Sequence, residues 1–535
     1  MGIMEFRNLI LGGIYLIKES FYQKYGFGNP PQSYWIASTH STNYPVLDRD
    51  IKVDVAIVGG GLVGITAAYL LKQENLKVAV IESDKIAEGT TGHTTAKLTS
   101  QHNLIYDKLI NHLGKEKAEI YAGANEFAID FVENLINEKQ IDCDFSRQPA
   151  IVYTQSDQYI QKIQKEVEAA SSLGIDVKYL DSLPLPFEVK AAEQFENQAQ
   201  FHPRKFLLPL AEEVHGNGSY IFEQTRAVDF HEDKPITVIS ENGYKVTADH
   251  VIIASHFPAY GSGGYYFARM YPDRSYALGI KTKEEFPGGM YITAEDPGRS
   301  LRFTPDNNDQ NNQLVIVAGE HHKTGQGPNT NQHYQNLINF AKETYTVTDI
   351  LYRWSTQDYT TLDDVPYVGR ITSKSPNIYV ATGFRKWGMT NSIVSAILLK
   401  DLIIKGESPW EPVYNPSRFE TDPMIKNFVS SNMEVAKHLI GDKLKPVPSD
   451  FDIEPGEAKV IKYQGEKMGV YKDEGGEIHA VNITCTHMGC DLIWNAAELS
   501  WDCPCHGSRF TYRGDIIEGP ALKSLQTRDP LRFNP

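Results

Sequence analysis

Residues 53 to 82 leave the chain little freedom of fold. A short β-rich apolar run, Val53-Asp54-Val55-Ala56-Ile57-Val58, meets Gly59-Gly60-Gly61-Leu62-Val63-Gly64, and a helical pattern through Ile65, Ala68, Leu70 and Leu71 comes next. A second run, Lys77-Val78-Ala79-Val80-Ile81, ends on Glu82, 18 residues after Gly64. Alone, Gly-x-Gly-x-x-Gly says little. Between a strand and a helix, with an acidic residue closing the next strand, it marks a dinucleotide-binding βαβ unit. Gly59 permits the tight turn, Gly61 lets backbone approach a pyrophosphate, and Gly64 lets helix and strand pack closely, while the first N–H groups of the helix face the phosphates. Glu82 is placed to accept hydrogen bonds from the adenosine ribose. FAD and NAD share this fingerprint, so the stretch alone does not choose between them.

The remaining chain organises around that unit. Stretches 218–223 and 250–254 read as strands returning to the nucleotide-binding sheet, and the spacing of Leu109, Ile120, Phe127, Phe131 and Leu135 predicts helices between about 105 and 140. A β-rich region runs from Gln148 to about 350. After Asn377, Ile378-Tyr379-Val380-Ala381 leads to Gly383, then Trp387-Gly388-Met389-Thr390 and an apolar helix from Ile393 to Ile404, a second strand, glycine turn and helix. The proline-rich stretch from Glu407 to Pro416 reads as a boundary, and the short-element pattern after Pro446 as a separate domain. A chain of 535 residues is expected to hold two or three domains.

The second informative cluster is made of cysteines. Four of the five, Cys485, Cys490, Cys503 and Cys505, fall within 21 residues, and with His487 and His506 they form Cys-x-His-x15-Cys-x-x-His. Two thiolates can hold one iron of a [2Fe–2S] cluster and two neutral imidazoles the other; zinc is the alternative for a two-Cys, two-His set. Zinc leaves Cys490 and Cys505, one in each ligand loop, without a role. The fifth, Cys143, reads as an ordinary structural thiol.

Composition removes several function classes. Hydrophobic residues at 41% and charged residues at 22% describe a soluble globular protein, and a net charge of -16 repels phosphate backbones, so nucleic acid is not an expected partner. The apolar run from Leu9 to Ile17 is too short to span a bilayer and lacks a cleavage site. A cytoplasmic protein is expected, with peripheral contact through Leu9, Ile10, Ile14, Tyr15 and Ile17 as the one membrane mode left to it.

With these motifs in view, residues from about 50 to 410 resemble the D-amino-acid-oxidase-like FAD-dependent oxidoreductases. The resemblance rests on the glycine fingerprint with Glu82, on Glu88-Gly89-Thr90-Thr91-Gly92-His93-Thr94-Thr95-Ala96 where that family loops over the flavin, and on Ala381-Thr382-Gly383 with Gly388-Met389-Thr390. It implies FAD as cofactor, Thr91 and His93 as flavin-loop contacts, and Gly383, Gly388 and Met389 beside the isoalloxazine. Thr225-Arg226-Ala227 matches the position whose backbone meets the adenine. Sarcosine and dimethylglycine dehydrogenases carry Gly-Ser-Thr-x-His in this loop, its histidine bonded to the flavin 8α carbon. Gly89-Thr90-Thr91-Gly92-His93 has the same spacing, which implies either that bond or a simple flavin contact for His93. Reductases that draw electrons from NADH carry two glycine fingerprints; Gly261-Ser262-Gly263-Gly264 has no helix pattern or acidic partner and does not supply the second.

Residues 446 to 535 resemble the Rieske proteins of respiratory cytochrome bc complexes. That likeness implies Cys485, His487, Cys503 and His506 as cluster ligands, a disulfide between Cys490 and Cys505, and Gly519-Pro520-Ala521 as the third loop that shields the cluster. Respiratory members place a tyrosine two residues after the serine; here Ser508 is kept but Phe510 stands at that position, which removes a donor to a ligand sulfur and implies a lower potential.

The expected architecture is an arm (1–50), an FAD-dependent oxidoreductase (51–410; FAD-binding parts about 51–105, 205–260 and 355–405), a linker (411–445) and a Rieske domain (446–535). The fold class is an α/β FAD-binding domain of Rossmann-like, glutathione-reductase type, with an antiparallel β-rich substrate domain and an all-β C-terminal domain. Flavin takes a hydride and the cluster one electron. The expected function is therefore a dehydrogenase of a small amine or amino-acid-like substrate that passes electrons through the cluster to an acceptor protein or quinone. The alternative is an oxidase using O₂, with the Rieske domain as sensor or docking module. A Rieske oxygenase would need two histidines and a carboxylate for a further iron, and no such spacing stands out. Arg302, Arg385 and Lys386 are candidates for a substrate carboxylate, with surface ion pairs the commoner use of such residues; His321 and His322 read as solvated. No residue is assigned as catalytic, because dehydrogenation of a neutral amine needs no protein acid or base.

Overall fold

The computed structural model describes residues 31–260, 264–306, 313–327, 329–418, 422–441, 443 and 452–528. The apolar run from Leu9 to Ile17 and glycines 261 and 263 lie outside them. Strand Ile51–Val58 is central in an eight-stranded sheet, with Val78–Ile81 parallel on one side and Lys245–Ile253 parallel on the other. Tyr220–Phe222 extends the sheet beyond Val78–Ile81, and Ile378–Thr382 joins the far half of Lys245–Ile253, both in parallel. Parallel strands must be covered on both faces. Alternation along Ile51–Val58 sends Val55 and Ile57 into a core shared with helices Leu62–Gln73, Lys115–Lys139, Pro203–Val214 and Gly388–Ile404, and sends Ala56 and Val58 into a second core with Phe222, Ile253 and Tyr359.

A second eight-stranded sheet runs in the order Val347–Thr361, Met270–Thr282, Gln313–Lys323, Arg299–Pro305, Met290–Thr293, Ala150–Thr154, Ala191–Phe195, Val177–Leu180. All neighbours are antiparallel except Met290–Thr293 with Ala150–Thr154. Its first two strands form a long ribbon with Ala277 opposite Trp354, Arg274 opposite Gln357, Asp273 opposite Asp358 and Pro272 opposite Tyr359. Because side chains alternate between faces, Trp354 and Asp358 share one face and Gln357 and Tyr359 the other. Ala277 and Trp354 lie in an apolar cluster with Ala96 and with Tyr34 and Trp35 of the N-terminal arm. These arm residues seal this face, while helix Asn331–Thr344 covers the other through Tyr334, Leu337 and Ile338.

The C-terminal domain is two four-stranded sheets, Ala458–Tyr463, Glu466–Lys472, Ile478–Asn482, Thr527–Arg528 and Ile493–Asn495, Ser500–Asp502, Arg509–Thr511, Ile516–Glu518. The stretch expected as a linker carries the helix Asp422–Gly441, whose Val435 and Leu439 pack on the C-terminal core and whose Asn432 donates to the Ala268 carbonyl at 3.0 Å. Among the described residues no helix is long and apolar enough to cross a membrane.

Candidate functional site

The nucleotide cradle is built from backbone. Gly59 has φ +109°, and a Cβ there would stand 2.5 Å from the Ala254 carbonyl oxygen; at Gly64 it would stand 1.9 Å from the Gly59 oxygen. Only glycine fits at either position. Helix Leu62–Gln73 begins at Gly61 without a side-chain cap of its own, and Leu62 N–H donates to Thr91 Oγ1 at 3.0 Å, which sets Thr91 over the first turn. The Glu82 carboxylate accepts from Gly60 N–H (2.7 Å), Asp84 N–H and Ser83 Oγ. That leaves one lone pair on Oε2 for a ribose hydroxyl. Thr225 N–H donates to the Glu82 carbonyl at 2.8 Å and brings Ala227 alongside.

The other end of the cradle is the 3-10 turn Thr90–His93 with the turn from Gly383 to Gly388. The His93 ring bonds through Nδ1 to the Gly89 carbonyl at 2.9 Å, which leaves Nε2 unprotonated when the ring is neutral, and its own carbonyl accepts from Trp354 Nε1. Gly383 has φ +77° and packs on Thr361; Gly388 opens helix Gly388–Ile404, which has no side-chain cap, and Met389 is buried in its first turn. His102, which sequence reading passed over, fixes this helix start. It is fully buried, stacks on Trp387 at 5.0 Å, and bonds to Tyr121 Oη, the Thr99 carbonyl and Thr390 Oγ1. Burial pushes its pKa down to about 3, so it stays neutral.

The cluster pocket is built from side chains. Cys485 and Cys503 are buried free thiols, 3% and 1% exposed, on two turns closed by Cys485 N–H to the Cys490 carbonyl and Cys503 N–H to the Ser508 carbonyl, both 2.8 Å. Their thiols share a hydrogen bond that favours ionisation of Cys485. His487 and His506 stand 5.1 Å apart, ring to ring, and the Nδ1 atom of each is buried without a partner. Burial holds both imidazoles neutral, His506 at about 4. Two thiols and two neutral, unpartnered imidazole nitrogens are the donor set a mixed Cys/His cluster needs. Cys490 and Cys505 are bonded to each other and so are not ligands. Ser508 hydrogen-bonds Cys485, while Phe510 is buried opposite Trp501. A Cβ on Gly519 would come within 2.5 Å of the Gly507 oxygen, so the third loop closes on the second.

The ribbon Met270–Thr282/Val347–Thr361 stands between the two. On the face toward His93, Asp273 and Asp358 are directly opposite each other, with Lys386 Nζ 3.6 Å from Asp273. Burial pushes Asp358 up to about 8, so it is protonated at neutral pH, which lets two carboxyls share the position. On the other face, Gln357 Nε2 donates to the Gly507 carbonyl (2.8 Å) and Tyr359 Oη to the His506 carbonyl (3.2 Å). Phe267 sets its edge against both cluster histidines. Buried Arg274 faces Glu498 and Glu518, and Arg509 faces Asp502 and Glu518.

Two expectations are corrected. Arg302 is neither on the surface nor free for a carboxylate: it is 1% exposed, and its guanidinium donates to the carbonyls of Thr95, Ala96 and Phe303, holding the flavin-loop backbone. His322 is half-buried rather than free in solvent; it stacks on His333 at 4.3 Å and bonds to Tyr276 Oη. Arg385 and Lys386 make ion pairs, the commoner use expected of them, Arg385 with Asp364 at 3.8 Å and Lys386 with Asp273 at 3.6 Å, and both side chains stay part-exposed.

Comparison with known proteins agrees with this geometry. The model of the family DAO, FAD dependent oxidoreductase, matches residues 54–402, and the Rieske [2Fe-2S] domain model matches 443–529. The chain belongs to the DAO family of FAD-dependent oxidoreductases. Among its relatives, the protein named "Putative Rieske 2Fe-2S iron-sulfur protein YhfW" of Bacillus subtilis (strain 168) is 44% identical over 500 residues, spanning 93% of this chain and 98% of its own. Gamma-glutamylputrescine oxidoreductase of Escherichia coli (strain K12) is 22% identical, over 69% of this chain and 88% of its own. Glycine oxidase from Geobacillus kaustophilus has the same fold, with TM-score 0.56 at 17% identity over 69% of this chain and 100% of its own.

The DAO-family domain binds FAD and the Rieske domain a [2Fe–2S] cluster. The protein is therefore an oxidoreductase of the broad group that includes amino-acid and amine oxidoreductases, with an iron–sulfur domain in the same chain.

Proposed function

We propose that this DAO-family protein dehydrogenates an amine or amino-acid-like C–N bond and delivers the electrons, one at a time, through its [2Fe–2S] cluster to an external acceptor. Bound FAD supplies hydride acceptance, and the cluster supplies one-electron transfer. Gly59, Gly61, Gly64, Glu82, Thr91 and Ala227 are assigned to the adenosine and pyrophosphate; His93, Gly383, Gly388 and Met389 to the isoalloxazine; Cys485, His487, Cys503 and His506 to the cluster. Uncapped N–H groups at the start of helix Gly388–Ile404 favour negative charge developing near them. Two relatives named for γ-glutamylputrescine and glycine, both amines, support the substrate class. Asp273, Asp358 and Lys386, on the ribbon face toward His93, are the groups available to a charged substrate.

One observation carries the electron path. The cluster histidines share Phe267 but differ in exposure: His506 is 3% exposed with its carbonyl held by Tyr359 Oη, whereas His487 is less buried and adjoins Met488, which is 44% exposed. An inner ligand toward the flavin domain and an outer one toward solvent suit a relay. The test is anaerobic: amines and amino acids are screened for flavin bleaching, and the reduced-cluster paramagnetic signal is then recorded. Substrate should produce both. Flavin reduction with a silent cluster and stoichiometric peroxide in air would instead establish an oxidase with a non-relaying Rieske domain.

A further inference from the structure

We propose that Tyr359 is a positioning residue that couples the two redox sites, gripping the flavin-side turn with its backbone and the cluster loop with its hydroxyl. This rests on the relay reading above. The Tyr359 carbonyl accepts Arg385 N–H at 2.9 Å, inside the turn from Gly383 to Gly388, and the neighbouring Thr360 bridges to Phe384. Its hydroxyl donates to the backbone carbonyl of His506 at 3.2 Å. The ring packs against His256 at 5.0 Å and Phe257 at 5.1 Å. His256 in turn bonds through Nδ1 to Thr90 Oγ1 at 3.3 Å, and its carbonyl accepts from Thr382 Oγ1. Tyr359 thus holds the Gly383–Gly388 turn directly, reaches the Thr90–His93 turn through His256, and grips the backbone of His506, and it is 1% exposed.

Electron transfer weakens steeply across empty space and far less along covalent and hydrogen bonds. The path from the turn through Arg385 N–H, the Tyr359 backbone and side chain, and the hydroxyl to His506 contains no through-space jump. With FAD and the cluster bound, the flavin would supply two electrons from one substrate hydride and the cluster would take them singly, so the Tyr359 path would be used twice per turnover, with the external acceptor taking each electron in turn. Tyr359 itself would be neither oxidised nor reduced and would carry no proton. Phe510 leaves the position two residues after Ser508 without a hydroxyl, and Tyr359 brings one to the cluster loop from the flavin domain.

The experiment uses full-length holoprotein with Y359F, and Y334F as a docking control, since Tyr334 donates to Glu498 across the same interface away from the cluster. Flavin is photoreduced anaerobically with light and EDTA, cluster reduction is timed by its paramagnetic signal, and the cluster potential is titrated. Y359F should keep wild-type FAD and iron, slow cluster reduction about tenfold or more and shift the potential; Y334F should match wild type. Wild-type rate and potential in Y359F would overturn the proposal, as would equal slowing in Y334F. If Y359F loses iron, Y359H, which keeps a ring donor, should restore the cluster and most of the rate, and failure to do so also overturns it. A wild-type protein whose flavin never reduces the cluster would sink the relay reading instead.

Discussion

The cluster pocket and the flavin cradle sit on opposite sides of one two-stranded ribbon and are made of different material. Four side chains on two short turns define the pocket, all between positions 485 and 506. The cradle is defined by main chain: glycines at 59 and 64 where a Cβ would collide, two helix starts without caps, and carbonyls held by Arg302. A side-chain site fails when a functional group is removed. A backbone site fails when an atom is added.

The sharpest break in that contrast is loss of a ligand. His506→Ala should take bound iron from about two per chain to near zero while leaving FAD in place; elemental analysis with flavin absorbance checks it, and zinc in the wild-type site would overturn the cluster assignment. Next in size is separation of the two sides. Arg274→Ala leaves the half-buried Glu498 and Glu518 with Arg509 alone, and the loss is expected to fall below the ~3–5 kcal/mol that removing one partner of a fully buried ion pair costs. Faster hydrogen exchange at residues 357–359 would report undocking. The same contacts set a pH limit. Burial would raise Asp502 and Glu518, but Arg509 and Arg274 outweigh it and hold both below the ordinary carboxylate range. Their stabilising contribution is therefore complete above about pH 5 and is lost only as pH falls through their lowered values. Undocking already complete at pH 6 would contradict this.

Addition to the cradle should come third. Gly64→Ala is expected to expel FAD and cost about 1–3 kcal/mol through backbone displacement. At Gly388 the nearest atom to an added Cβ is Phe384 Cβ at 3.8 Å, so Gly388→Ala should leave thermal stability within about 0.5 kcal/mol while weakening FAD retention; equal FAD affinity would remove Gly388 from the flavin site. The smallest effect belongs to Phe510→Tyr, which should raise the cluster potential if the hydroxyl reaches a sulfur. An unchanged potential would mean that this loop differs from the respiratory one.

Both sites were legible in sequence wherever chemistry is local. The strand, glycine turn and helix at 53–71 and the Cys/His spacing at 485–506 each carry their own geometry. What stayed hidden depends on pairings far apart in the chain. Nothing near 273 announces that Asp358 lies opposite it, and Tyr359 looks like any strand tyrosine until Pro272 sits across from it. Arg302 and His322 were misjudged for the same reason: a charged or titratable residue in an alternating strand reads as exposed, and only the closed sheet with its arm and helix shows that Arg302 is buried and His322 half-buried. The helix Asp422–Gly441 was masked by the prolines before it, which mark a boundary correctly but carry no signal for a helix on its far side.

The tight closure around the second ligand turn has a consequence for how the protein matures. Pro504 lies against Gly325, where a Cβ would approach its nitrogen to 2.6 Å, Gly507 lies against Pro272, and Cys485, Cys503 and His506, the proposed ligands, are at most 3% exposed. A donor protein delivering iron and sulfide needs those thiols open. Delivery must therefore precede closure, and filling of the cluster sets the order in which the halves come together. Chain made under iron starvation should accumulate with its C-terminal domain detached, visible as a larger hydrodynamic radius, and should compact on anaerobic reconstitution. A starved chain already as compact as the mature protein would show that the halves close first.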